Sequence, residues 1–276
     1  RDLHSFPTRR SSDLPVLQLP FEQARPATRT TNGDQYDFVL NRQLKEKLEV
    51  FCQQEDCTYY MVLLSAAYYS FYYFTDDTEF IIGTSVSDRE RIEFRDQIGL
   101  YLNQLPVRNL FSDTDTFRQL IEKTKEEVVA AFAHKQYPLN LIGQEVINTR
   151  DHSRSFLFDV MLDMIMPNDR LAEKETLPFD IEIVPDKTVA SRFDLSFYFM
   201  PKDQEIWASM VFNTDLFHET NIREIADCLV DLLDDFEAAL EQPIRSIKDT
   251  MQKRRKTDVL SGRREKIKEK MNLLFN

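Results

Sequence analysis

The residues able to move protons or form covalent bonds are few and scattered along this chain. The histidines are His4, His134, His152 and His218, no two adjacent, and the cysteines are Cys52, Cys57 and Cys228, without C-x-x-C spacing. An odd, sparse set of thiols reads as reduced, mostly buried apolar residues, not as a zinc site or redox motif. A thiol nucleophile would need a histidine that the sequence does not set beside Cys52 or Cys57. There is no glycine-rich phosphate loop, no H-E-x-x-H and no G-x-S-x-G, and five glycines leave little with which to cradle a nucleotide. Neither a catalytic residue nor a metal site is expected. The stretch that stands out is polar: residues 83–108, GTSVSDRERIEFRDQIGLYLNQLPVR. In it, Asn103 can fix a carbonyl through an amide that does not titrate, and Gly99 suits an unusual backbone conformation or a close approach.

Such residues need a scaffold, and the composition supplies one. With 276 residues, 42% apolar and 12% aromatic, the chain can fill a sizeable core. No apolar run approaches the ~18–20 residues of a membrane span, and no secretory signal opens the chain, so a soluble cytoplasmic protein is expected, with no membrane partner. From Arg245 onward eleven Lys and Arg face four Asp and Glu, a local +7 that leaves −19 on the rest of a chain whose total is −12. An acidic body argues against nucleic acid, which requires clustered cations. The basic stretch 242–276 is expected to be a linker or tail, solvated as blocks of like charge usually are.

The elements follow from periodicity. A short β-like stretch at 35–40 precedes a helix at 43–52 with Leu44, Leu48 and Phe51 on one face. Thr58 caps a second helix in which Met61, Leu64, Tyr68 and Phe71 recur at three and four residues. Its many tyrosines read as a packed interior helix, ahead of a stacking surface for bases or sugars. Phe80, Ile81 and Ile82 form a strand covered on both faces that delivers Gly83 to a polar loop. Thr116 and Gln119 make a capping box for a helix that stops near His134, before Pro138. Four alternating segments follow at 158–165, 179–184, 193–199 and 206–212. In the third, Phe193, Leu195, Phe197 and Phe199 are expected on one face. Asn221 and Glu224 are read as the capping pair of a closing helix running through Phe236 to Leu240. Helices between and after strands predict an α/β sandwich with a mixed sheet.

Against that scaffold, several segments together resemble the nonribosomal peptide synthetase condensation domain. That family has a Gly-x-Pro-x-x-x-Arg turn, matched by Gly83, Ser85 in place of proline, and Arg89. An Ile-Gly-x-x-x-Asn segment leading to a strand that ends in Arg is matched by Ile98, Gly99, Asn103 and Arg108. His134, Gln136 and Pro138 resemble its His-x-Gln-x-Pro segment, with Tyr137 and Leu139-Asn140 departing from it. Arg150, Asp151, Ser153 and Arg154 resemble its Arg-Asp-x-Ser-Arg segment, and Phe193-Asp194-Leu195 its Phe-Asp-Leu strand. The family's catalytic His-His-x-x-x-Asp-Gly, which belongs to the first half of a domain of two similar halves, is absent.

The resemblance implies a chloramphenicol-acetyltransferase-like sandwich, specifically the second half of a condensation domain, at 15–241. Residues 1–14 then read as a non-native leader. In the family, amide bonds form between two thioesters tethered to carrier-protein phosphopantetheine, in a tunnel between the halves. The implied partners are the missing first half and the donor and acceptor carrier proteins, with no cofactor bound directly. Gly83, Ser85, Arg89, Gly99 and Asn103 become candidates for the tunnel or its crossover loop, which would run over 85–98, and the stretch 184–192 a candidate cover. Structural roles are expected for Ile98, Arg108, His134, Gln136, Pro138 and Asp194. Arg150, Asp151 and Arg154 are expected to form a partly buried ion network and His134 a helix cap. Two other readings stay open: a noncatalytic carrier-binding scaffold, and a CoA-dependent acyltransferase relative. Against the latter, Asp-Phe-Gly-Trp-Gly is missing and the sole tryptophan, Trp207, falls in a strand.

Overall fold

The computed structural model describes residues 14–20, 22–87, 89, 92–94, 97–146, 151–166 and 189–257. Arg150, the expected strand at 179–184, most of the stretch 184–192, residues 1–13 and residues 258–276 lie outside them.

Strand β1 (Gly33–Leu40) leads into α1 (Arg42–Gln54), which Asn41 caps by accepting the Leu44 N–H at 3.0 Å. Thr58 caps α2 (Tyr59–Thr75) by accepting the Met61 N–H at 3.3 Å, as its position predicts. Apolar or aromatic on almost every face, α2 is buried from Met61 to Tyr73, as a helix hydrophobic all round must be. Ser65 and Ser70 donate their hydroxyls to the Met61 and Ala66 carbonyls, and Tyr68 donates to the Val107 carbonyl, each at 2.8 Å. The tyrosines are therefore interior packing.

After α2 come β2 (Glu79–Ser87), β3 (Leu102–Leu110), α3 (Phe117–Ala133), α4 (Leu139–Val146), β4 (Val160–Met164), β5 (Leu195–Lys202), β6 (Glu205–Asn213) and α5 (Glu219–Asp234). The capping box of Thr116 and Gln119 starts α3, and His134 ends it. The strands form one mixed sheet in the order β1-β6-β5-β4-β2-β3. Its centre, β2, β4 and β5, is parallel, and the remaining pairings are antiparallel. Period-two alternation sends Leu195, Phe197 and Phe199 of β5, with Ala208, Met210 and Phe212 of β6, into the layer made by α1, α2, α3 and α5. Phe71 of α2 meets Phe197 edge-on at 6.1 Å and Phe80 at 5.9 Å. On the opposite face, Ile81, Leu157, Phe158 and Met161 form a smaller cluster with α4 packed against it. On that second face, among the described residues, the cross-strand neighbours Val39 of β1, Trp207 of β6 and Met200 of β5 are exposed.

Four local expectations change. β2 runs nine residues, not three, so Gly83 lies inside it between Pro106 and Met161; the polar Thr84, Ser85 and Ser87 continue the ladder with β3. Phe193 precedes β5 and stacks on Phe158 at 5.5 Å, in the smaller cluster. The closing helix starts one turn earlier, at Glu219: Asn221 reaches back to accept the His218 N–H at 3.2 Å, and Phe236 and Leu240 fall beyond its end. Residues 244–257 of the expected linker are helical and bury Ile244, Ile247 and Met251. There Lys248 pairs with Asp76 and lies 5.0 Å from the Tyr72 ring, while Arg255 pairs with Asp231 at 2.9 Å. Cations with partners on α2 and α5 dock this helix instead of solvating it.

Candidate functional site

The polar segment after β2 is held closed by one side chain. Arg89 donates to the carbonyls of Phe94 at 2.9 Å, Gln97 at 2.7 Å and Gly99 at 2.8 Å, and its guanidinium lies 4.6 Å from the Tyr101 ring. Three carbonyls on one planar fork leave Arg89 a loop clamp. Gly99 keeps an ordinary backbone; a Cβ there would stand 3.0 Å from the Tyr101 ring, so close approach accounts for it. Ile98 and Leu100 point into solvent. Gly83 faces a harder constraint, since a Cβ would lie 2.0 Å from the Phe158 ring.

Asn103 joins two of the sequence motifs. Its amide donates to the carbonyls of Lys135 and Tyr137, both at 2.8 Å, fixing the turn that contains His134, Gln136 and Pro138. Both amide hydrogens are thereby engaged within the chain. His134 is an exposed C-cap, Gln136 is exposed, and the Pro138 carbonyl accepts the Leu141 N–H at 3.0 Å as α4 begins. Arg108, buried in β3, pairs with Glu79 of β2, Nε donating at 2.8 Å.

Of the expected ion network, the structure describes Asp151 and Arg154 but not Arg150. Arg154 pairs with Asp159 at 2.6 Å, while Asp151 instead accepts the Ser153 N–H at 2.8 Å and hydroxyl at 2.7 Å in a local turn. Arg25 pairs with Asp194 at 2.6 Å and donates to the Ser153 carbonyl at 3.2 Å, tying the opening segment to the start of β5. Burial, helped by the Asp159 and Glu22 carboxylates and opposed by Arg25, pushes the Asp194 carboxyl up to about 6. Arg25 and Asp159 were not singled out from the sequence, where nothing local marks a pair 169 residues apart in the case of Arg25 and Asp194.

A second group of polar side chains lies at the C-terminal ends of the parallel strands. The β2–β4 ladder covers only Ile82–Val160 and Gly83–Met161, and beyond it the Asp163 carboxylate replaces the missing pairing. It accepts the Ser85 N–H at 2.6 Å, the Ser85 hydroxyl at 3.0 Å and the Thr84 hydroxyl at 3.3 Å. A proline at position 85 has no N–H and could not make the first bond. The Tyr60 hydroxyl is buried beside this group, and burial raises its pKa. Ser85 and Asp163 are half-buried, at the end of a parallel sheet where such folds bind ligands. Asp163 was missed because an acid in an apolar strand carries no sequence signal of its own.

The order of elements and the joined motifs can be compared with known proteins. Residues 7–259 match the family model of the condensation domain. The chain belongs to this family. Tyrocidine synthase 2 of Brevibacillus parabrevis is 30% identical over 237 residues, 86% of this chain and 7% of that protein. Surfactin synthase subunit 1 of Bacillus subtilis (strain 168) is 29% identical over 238 residues, 86% of this chain and 7% of that protein. The chain thus spans a small part of these synthetases. Among solved structures, the X-domain from teicoplanin biosynthesis superposes with a TM-score of 0.76 at 22% identity, covering 83% of this chain and 52% of that one. A four-domain nonribosomal peptide synthetase gives 0.75 at 18% identity, covering 84% of this chain and 18% of that one. The condensation-domain fold, a chloramphenicol-acetyltransferase-like sandwich, is thereby shown. The family match begins inside the expected leader and extends past 242, through the docked helix.

Proposed function

We propose that this chain is the second half of a nonribosomal peptide synthetase condensation domain and works only with a first half that carries His-His-x-x-x-Asp-Gly. The supporting observation is that the fold accounts for 83% of this chain but 52% of the X-domain chain, in a sequence lacking that signature. In the complete domain the amine nitrogen of one carrier-bound aminoacyl thioester attacks the carbonyl carbon of the other. The C–N bond forms, the C–S bond breaks, and the donor's phosphopantetheine sulfur leaves as a thiol with the proton the amine gives up. Holding both tethered reactants in register contributes about 7–11 kcal/mol. This half supplies a tunnel wall and carrier contacts. Arg89 and Asn103 shape the crossover, and the Ser85–Asp163 group faces the reactants, its carboxylate accepting an N–H from the attacking amine.

Assembly tests the reading. Mixed with a separately made first half of a condensation domain, the chain should elute as a one-to-one complex by size exclusion with light scattering. Retention of a carrier protein by a chain that pairs with no first half would favour the noncatalytic scaffold instead.

A further inference from the structure

Cys52 and Cys57 flank the junction of α1 and α2, and the way α1 ends brings them together. Glu55 is the C-cap, its N–H bonded to the Phe51 carbonyl at 2.9 Å, and Asp56 follows in the left-handed conformation with φ 49°. The Cys57 N–H then returns to the Cys52 carbonyl at 3.0 Å. This is the six-to-one bond of a Schellman ending, which sets the side chain two residues past the cap against the side chain three residues inside the helix. That contact is ordinarily a pair of apolar side chains, and here both members carry thiols.

The two thiols differ in access. Cys52 is buried, and the neighbouring Cys57 together with burial raises its pKa. Cys57 is half-buried and opens on a groove of about 690 Å³ between α1 and α3, lined also by Phe51, Arg118, Lys125 and Val129. Lys125 reaches the Glu55 carbonyl at 3.1 Å, so an ammonium stands at the mouth. The neighbouring Cys52 and the Lys125 charge lower the Cys57 pKa against burial and the Glu55 and Asp56 carboxylates. Cys228, the third thiol, is fully buried on α5.

We propose that Cys57 and Cys52 are a redox-sensitive dithiol, with Cys57 the attacking and Cys52 the resolving thiol toward hydrogen peroxide. The Cys57 thiolate attacks one peroxide oxygen, the O–O bond breaks, and the departing hydroxide takes up the proton the thiol released and leaves as water, giving a sulfenic acid. The Cys52 sulfur then attacks the Cys57 sulfur, the S–O bond breaks, and a second water leaves. Two thiols and one peroxide become one disulfide and two waters. Closure joins the end of α1 to the residue before the α2 cap and removes the thiolate from the groove. The expectation of inert, reduced cysteines then holds for Cys228 alone.

The test treats the whole chain with hydrogen peroxide, blocks free thiols, and digests without reductant using a protease that cuts after glutamate. Cleavage after Glu55 separates the two cysteines unless sulfur joins them. A linked peptide holding Cys52 and Cys57, lost on later reduction, with Cys228 still alkylatable under denaturant, is expected. Cys52→Ser should lose the linked peptide and instead accumulate a dimedone adduct on Cys57. Oxidation of Cys57 to the sulfinic acid with Cys52 still free, or oxidation of Cys228 before either, would overturn the proposal, and the unmutated chain decides this without a variant.

Discussion

Single residues of this condensation-domain chain carry distinct loads. Gly83 has the Phe158 ring where a Cβ would stand, so Gly83→Ala forces ring or strand to move. Overpacking of this kind costs about 1–3 kcal/mol, read as a lower urea midpoint with unchanged slope. Asp194 gives a pH signature. Its folded pKa, about 6, stands above the roughly 3.9 of an unfolded Asp, so the native state holds the proton longer than the unfolded chain. The associated stabilisation is fully present below about pH 4 and is lost as pH rises through about 6. Asp194→Asn should therefore flatten the fall in urea midpoint between about pH 4 and 7 relative to the parent. For Asp163, losing the hydrogen bond between the attacking amine and a charged carboxylate costs roughly 1.5–3 kcal/mol, so Asp163→Ala should lower kcat/KM of the reassembled domain about tenfold or more. An unchanged value would remove Asp163 from the reacting side.

At the scale of elements, the contrast between caps and long-range partners explains what the sequence revealed. Thr58 and the Thr116–Gln119 box are local signals, spaced within one helical turn, and both helices begin there. The period-two pattern likewise located β5 and β6, because one face is dry and the other is not. Three features were illegible. β2 continues through polar residues because β3 offers a full ladder, a pairing invisible from either strand alone. Asp151 and Arg154 sit in one motif yet bond elsewhere, because Asp159 lies nearer the guanidinium and Ser153 nearer the carboxylate. The helix at 244–257 hid its stripe of Ile244, Ile247 and Met251 among cations whose partners lie on α2 and α5. Ile247→Ala tests that docking: a packed helix should lose about 2–4 kcal/mol in equilibrium unfolding, whereas a solvated tail would lose nothing measurable.

For the whole molecule, the unequal covering of the sheet matters most. One face is sealed by helices, and on the other, among the described residues, Val39, Trp207 and Met200 are exposed, as are Ile98, Leu100 and Leu102 before and at the start of β3. Apolar surface of this kind marks an interface. The isolated chain should self-associate with rising concentration in light scattering, and the first half should suppress it; a monodisperse monomer at all concentrations would count against an uncovered interface. On the proposed function, amide-bond formation requires both halves of the domain. The most direct measurement supplies two carrier proteins, each loaded with an aminoacyl thioester, to the chain alone and to the chain with a first half. Carrier-bound dipeptide detected by mass spectrometry only in the combined sample is the predicted result. Dipeptide from the chain alone would contradict it.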